Sequence, residues 1–227
     1  MAMKLNANAR ISIGIAAAFA VVIAVLLAVN AAGSDDNTPA PAAGASADVD
    51  KHERLVRPDS HKLDVAADNK VTFVEFLDFE CESCRAAFPA VEQLRKDYAG
   101  KVTFVVRYFP IPSHFNAERA ARAVEAASKQ GKFEQMYQKM YETQTEWGEQ
   151  QVPADERFRG FAKDFGLDLA AFDKAYNDPA TLERIKRDVA DGEALGVTGT
   201  PTFFLNGSKI QPESLADLTA SVDAALK

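Results

Sequence analysis

Both cysteines of the chain lie in one tetrad, Cys81-Glu82-Ser83-Cys84, just beyond the apolar run Val71-Thr72-Phe73-Val74-Glu75-Phe76-Leu77. A strand that delivers Cys-x-x-Cys into the first turn of a helix is how a polypeptide builds an active dithiol. No third cysteine exists, so a framework of structural disulfides is excluded by count. A zinc site would have to recruit His52, His61 or His114, all remote from the tetrad in sequence, and no metal is expected.

The setting of the tetrad follows from the N-terminal third. Ile11 to Val29 is apolar apart from Ser12, and at about 1.5 Å per residue such a run reaches roughly the 30 Å of a bilayer core. Lys4 and Arg10 precede it and Asp35 and Asp36 follow, so the positive-inside rule puts residues 1–10 in the cytoplasm and the remainder outside. The run reads as a single-pass anchor over 11–29, or as a cleaved signal peptide if Val29-Asn30-Ala31 is a cleavage site. Either reading exports the domain to a compartment where disulfides persist. No cysteine stands near the membrane exit, which excludes a lipoprotein anchor. The chain carries a net charge of −7, so nucleic acid is not an expected partner.

A length of 227 residues suits one full core plus appendages. Residues 30–50 are rich in Ala, Gly, Ser, Pro and Asp and read as a flexible linker. The folded domain is expected over 51–227. Its first strand is Val71 to Phe76, followed by a helix with Phe88, Val91, Leu94 and Tyr98 at helical spacing and Pro89 as a kink. Val102 to Tyr108 has the composition of a strand buried on both faces, so strand, helix and strand imply a right-handed parallel crossover. From about 112 to 195 only helical patterns run, among them Asn116 to Lys129, Lys132 to Thr143, and a cap with first-turn proline at Asp178-Pro179. Thr202-Phe203-Phe204-Leu205, Asn206-Gly207 and Ser208-Lys209-Ile210 form a hairpin, and Glu213 to Leu226 closes the chain as an amphipathic helix.

These residues resemble the thioredoxin superfamily, and within it the exported DsbA-like proteins that carry a helical insertion. The likeness covers roughly Leu63 to Lys227 and rests on features in order: the strand Val74-Glu75-Phe76, the tetrad opening a helix, Pro89 within it, and Gly199-Thr200-Pro201 before the hairpin. The resemblance implies an α/β thioredoxin fold, a mixed sheet with flanking helices, interrupted by an all-helical insertion and preceded by one transmembrane helix. It implies a protein thiol-disulfide oxidoreductase that forms disulfides in exported proteins. Its redox group is the Cys81–Cys84 pair with no other cofactor, its partners are exported cysteine-containing proteins and a membrane quinone-linked thiol oxidase that recharges it, and it works as a monomer. The alternatives are a tethered reductase of the same fold and a non-catalytic binding module.

Each position then has an expected job. Cys81, at a helix N-terminus, is the nucleophile, and Cys84 resolves the mixed disulfide. Glu75 takes the family's place for a buried acid that moves protons to and from Cys84, unless it faces solvent. Thr200-Pro201 resembles the cis-proline pair that offers backbone groups to a substrate peptide. Strong oxidants of the class carry Pro-His between the cysteines, whereas this chain has Glu82-Ser83, with Glu80 and Asp78 upstream. A carboxylate beside a thiolate opposes its ionisation while the helix dipole and the Ser83 hydroxyl favour it, so Glu82-Ser83 tunes the pair, and Glu82 with Glu80 is expected to make it a weaker oxidant. His114, where the insertion leaves the second strand, reads as an ordinary loop histidine or as one bordering the active face, and Trp147, Phe158, Phe161, Phe165 and Phe172 as core of the insertion or, for some of them, as lining of an apolar groove for unfolded substrate.

Overall fold

The computed structural model describes residues 50–68 and 70–227. The expected tail, the span over 11–29 and the linker up to residue 49 lie outside them. Residue 50, placed at the end of the linker by composition, already belongs to a helical segment over 50–55. Among the described residues no helix is long and apolar enough to cross a membrane.

A five-stranded mixed sheet in the order β1-β3-β2-β4-β5 organises the domain. Strands β2 (Thr72–Leu77) and β3 (Thr103–Tyr108) run parallel, in register from Thr72 opposite Thr103 to Leu77 opposite Tyr108. The helix between them, α1 (Glu82–Asp97), makes the crossover and contains Pro89. Proline has no N–H, so the carbonyl one turn earlier loses its helical donor there. Strand β4 (Thr202–Leu205) lies antiparallel to β2, and β5 (Ser208–Ile210) antiparallel to β4. Asn206 and Gly207 both have positive φ, at 47° and 82°, the conformation that a two-residue hairpin turn demands.

Strand β1 (His61–Asp64) was not expected. Its four residues contain one apolar side chain, Leu63, and it pairs antiparallel on the outer side of β3. Polar side chains hold it instead: His61 Nε2 lies 2.6 Å from Glu125 Oε2, and Asp64 accepts from Arg95 Nε at 2.7 Å. An edge strand of this kind carries no hydrophobic alternation to read.

Between β3 and β4 run α2 (Ala117–Ser128), α3 (Phe133–Glu142), a 3₁₀ turn (Gln144–Glu146), α4 (Asp155–Asp164), α5 (Leu169–Tyr176) and α6 (Pro179–Ala194). Asp178 caps α6, its carboxylate accepting from Ala180 N–H at 2.9 Å, with Pro179 in the first turn. The last helix, α7 (Leu215–Ala225), is capped by Ser214 and buries Leu218 and Val222.

The sheet is covered on both faces. Phe73, Phe104, Phe203 and Leu205 pack with Val91 and Leu94 of α1 and with Leu218 and Val222 of α7. Val74, Phe76, Val105 and Phe204 pack on the other face with Leu55 and Val197. Alternation along β2 therefore sets Glu75 on the side of Phe73, beneath α1. In the insertion Trp147, Phe158, Phe161 and Phe172 are buried and Phe165 is partly so, in a core continuous with Leu77 of β2 and Val106 and Tyr108 of β3. The α6 helix comes so close to the sheet that a Cβ on Gly192 would stand 2.9 Å from the Phe109 ring. Gly192→Ala is therefore an overpacking substitution, expected to cost about 1–3 kcal/mol in chemical denaturation.

Candidate active site

The residues Asp78-Phe79-Glu80 carry the chain from the end of β2 to the start of α1, and Cys81 is the N-cap of that helix with φ −69° and ψ 122°. The first-turn amides of Ser83 and Cys84 act on its sulfur, as expected for a helix N-terminus. Cys81 is 9% exposed and Cys84, one turn inward, is 1% exposed; both are free thiols. The two are electrostatically unequal. A hydrogen bond from Cys84, outweighing the cost of burial, with smaller contributions from Thr200 and from the amides of Cys84 and Ser83, pulls the Cys81 thiol down to about 5. Burial, then the hydrogen bond to Cys81 and the charge of Glu75, pushes Cys84 well above the ordinary thiol range.

Across the dithiol, the Thr200–Pro201 peptide bond is cis, and the Thr200 carbonyl lies 3.3 Å from Cys81 Sγ. Glu75 sits beneath the pair, 4% exposed, so the solvent-facing alternative does not hold. Burial first, then repulsion from Glu92 and Cys81, raises its carboxyl to about 8. Glu82 and Ser83 both lie exposed on the first turn of α1.

The upstream acids are placed differently from the sequence expectation. Glu80 is buried and aimed into the insertion, where its carboxylate accepts from Asn116 N–H at 2.5 Å and from Glu149 N–H at 2.9 Å. Its charge is thus solvated by backbone dipoles instead of standing bare beside the thiolate. Asp78 accepts from Glu80 N–H at 2.8 Å and Ile111 N–H at 2.9 Å, and it faces His114 Nδ1 at 2.6 Å. His114 therefore belongs to this site and is no ordinary loop residue. Gln144 is a second residue that sequence reading missed. Its amide donates to the carbonyls of Phe79 at 2.7 Å and Cys81 at 2.9 Å, and its carbonyl accepts from Arg85 at 2.9 Å, so the insertion clamps the turn that bears the nucleophile.

A sulfur activated at a helix N-terminus, a buried partner thiol and a cis peptide opposite define a dithiol site of the thioredoxin class. Residues 66–224 match the Thioredoxin_4 family model, described as thioredoxin. The chain belongs to that family, and its fold is the one that DsbA structures also adopt. Among curated proteins it is 35% identical over 144 residues to a Na(+)/H(+) antiporter NhaA of Herminiimonas arsenicoxydans, covering 63% of this chain and 22% of that one. It is 37% identical over 172 residues to Na(+)/H(+) antiporter NhaA 3 of Salinispora tropica, covering 75% of this chain and 25% of that one. The chain thus spans about a quarter of the length of these relatives. Among solved structures, a thioredoxin-like oxidoreductase from Silicibacter pomeroyi aligns with a TM-score of 0.64 and 28% identity, over 76% of this chain and 96% of that one. Alpha-DsbA1 of Wolbachia pipientis, at 19% identity, shares the fold with a TM-score of 0.69 over 78% and 96% of the two chains.

Proposed function

We propose that the protein is a thiol-disulfide oxidoreductase that acts outside the cytosol, tethered by residues 11–29, and forms disulfides in exported proteins. The observation that carries this reading is the inequality of the two thiols. In the oxidising direction a substrate thiolate attacks Cys81 of the Cys81–Cys84 disulfide, that bond breaks, and Cys84 leaves and takes a proton. The substrate's second thiolate then attacks the substrate sulfur of the mixed disulfide and expels Cys81. A leaving thiolate whose pKa lies near 5 departs readily at neutral pH, which favours disulfide transfer to the substrate. Two electrons pass from the substrate dithiol to the enzyme, and a membrane quinone-linked thiol oxidase would remove them.

Glu75 is assigned to carry the proton to and from Cys84, which is otherwise sealed from water. Glu75→Gln is expected to slow resolution of the mixed disulfide about a hundredfold, the scale of one proton-transfer group, and to abolish the break near pH 8 in its pH profile. The same change has a stability signature. The folded carboxyl titrates well above an unfolded one, so the wild-type protein loses stability as pH rises from about 4.5 toward 8. Glu75→Gln removes that decline, and denaturant titrations at pH 5 and pH 8 check it.

Thr200-Pro201 would hold the extended substrate segment through backbone groups. Direction is tested by equilibrating the purified protein with glutathione. Exposed Glu82 places the expected potential below the strongest oxidants, between about −120 and −200 mV, and a value near −270 mV would reverse the assignment to a reductase.

A further inference from the structure

Asp78 and His114 form a pair that the steps above do not use. Because β2 and β3 are parallel neighbours ending opposite one another at Leu77 and Tyr108, the residues that follow them leave the same edge of the sheet side by side. There His114 Nδ1 meets Asp78 Oδ2 at 2.6 Å, and the backbone carbonyl of Asp78 accepts from Cys81 N–H at 3.2 Å. One buried residue thus ties an imidazole to the turn that presents the nucleophile. The Asp78 side chain is fully buried while His114 keeps 33% exposure, so solvent reaches the imidazole.

The titratable and charged groups around Cys81 and His114 are Glu75 beneath the dithiol, Asp78 and Glu80 before it, Glu82, Cys84 and Arg85 on α1, Tyr141 of α3, whose hydroxyl donates to the Asp78 carbonyl at 3.4 Å, and Glu118, Arg119, Lys186 and Glu193, which line the same cleft as His114. Glu80 is held by backbone amides, Arg85 by Gln144 and Arg119 by Asp155 and the Phe115 carbonyl. Of the cations in this set, His114 alone faces a carboxylate of the nucleophile's own turn.

We propose that His114, held by Asp78, is a positioning residue that stabilises the Cys81 thiolate and takes up a proton as the disulfide is reduced. It supplies from the insertion the charge that Glu82-Ser83 does not provide between the cysteines. This inference rests on the dithiol reading above. Burial disfavours the imidazolium, and the Asp78 hydrogen bond, the Asp78 charge and the Cys81 charge together outweigh it, so His114 titrates above its ordinary range. With His114 protonated, the Asp78 carboxylate no longer opposes the thiolate. The coupling is reciprocal: what His114 does for the thiolate, the thiolate does for the imidazolium. In the balance, a substrate dithiol yields two electrons and two protons. The electrons reduce the Cys81–Cys84 bond, one proton goes to Cys84, and the second is shared between His114 and solvent while Cys81 stays ionised.

The test uses the full-length protein with and without reductant. Thiolate absorbance in reduced His114→Gln is expected to give an about tenfold smaller acid dissociation constant for Cys81. The glutathione equilibrium should shift by the same factor, about 30 mV toward reducing. Asp78→Asn in that background should restore most of the shift, since the uncompensated carboxylate is then gone. NMR titration of the wild-type histidine should show a higher pKa in the reduced than in the oxidised protein. A folded His114→Gln variant with an unchanged Cys81 titration overturns the proposal. Equal His114 pKa values in the two redox states of the wild type overturn it even if that variant does not fold. Wild-type protein that fails to equilibrate with glutathione at all would instead sink the dithiol reading itself.

Discussion

Cys81→Ser is expected to remove disulfide exchange entirely, lowering the rate at least a thousandfold in a dithiol oxidation assay while leaving the fold intact. A hydroxyl cannot form the S–S bond, and the one remaining cysteine, Cys84, is buried with its thiol pushed well above the ordinary range, so it cannot take over as nucleophile. Because serine is close to cysteine in size and is itself a favourable cap residue, substitution disturbs little packing, and below about pH 5, where the thiol is neutral, the unfolding midpoint of the reduced protein should fall only slightly. The folded thiol titrates near 5 against an ordinary value near 9, so its ionisation stabilises the reduced fold above the unfolded value and that contribution is lost as pH falls through 5. Reduced wild-type protein should thus show a pH-dependent stability that Cys81→Ser lacks. A binding module with a passive disulfide predicts the opposite pattern, with biological activity retained in the variant.

The second large effect is on stability and comes from a residue far from the chemistry. Arg107 of β3 is fully buried, and its guanidinium meets Asp191 at 2.6 Å and Asp188 at 2.9 Å, both on α6. It also donates to the carbonyls of Arg54 and Leu55, so a single side chain joins the sheet to α6 and to the helical segment over 50–55. Arg57 reinforces the joint by pairing with Asp191 at 2.5 Å. Removing one partner of a buried ion pair strands the other, at a cost of about 3–5 kcal/mol. Arg107→Ala is accordingly expected to lower the thermal midpoint by about 6–20 °C, since each kcal/mol moves a domain of this size by some 2–4 °C. The joint also sets an acid limit. Burial raises the Asp191 carboxyl, but the hydrogen bonds from Arg57 and Arg107 hold it below its ordinary range. Its contribution is present above the unfolded carboxyl value and lost as pH falls through the folded one. A loss under 1 kcal/mol in Arg107→Ala would show that the network contributes no net stability.

The sequence was most legible where the physics is local. The strand–dithiol–helix unit, the Asn206-Gly207 hairpin and the Asp178-Pro179 cap each depend on a few adjacent residues whose conformational preferences agree. Strand β1 was not legible, because it is held by His61–Glu125 and Asp64–Arg95, pairs whose members lie 64 and 31 residues apart. The buried side of Glu75 could have been inferred, since both sheet faces carry large apolar residues. Glu80 was misread for the same reason that β1 was missed: the amides that hold it belong to Asn116 and Glu149, which no local pattern connects to the tetrad. His114 did have a signal. Residues following two parallel neighbouring strands emerge at one sheet edge, and Val102 to Tyr108 was already read as the strand beside β2.

The most direct test of the central claim is to express Cys84→Ala in the native host and identify what is attached to Cys81. Without a resolving thiol, the mixed disulfide formed by attack at Cys81 persists and can be isolated under non-reducing conditions. The account predicts reductant-sensitive adducts with exported cysteine-containing proteins and with a membrane thiol oxidase, all absent from the Cys81→Ser/Cys84→Ala double variant. Adducts that survive in the double variant, or a Cys84→Ala protein that captures no partner, would contradict it.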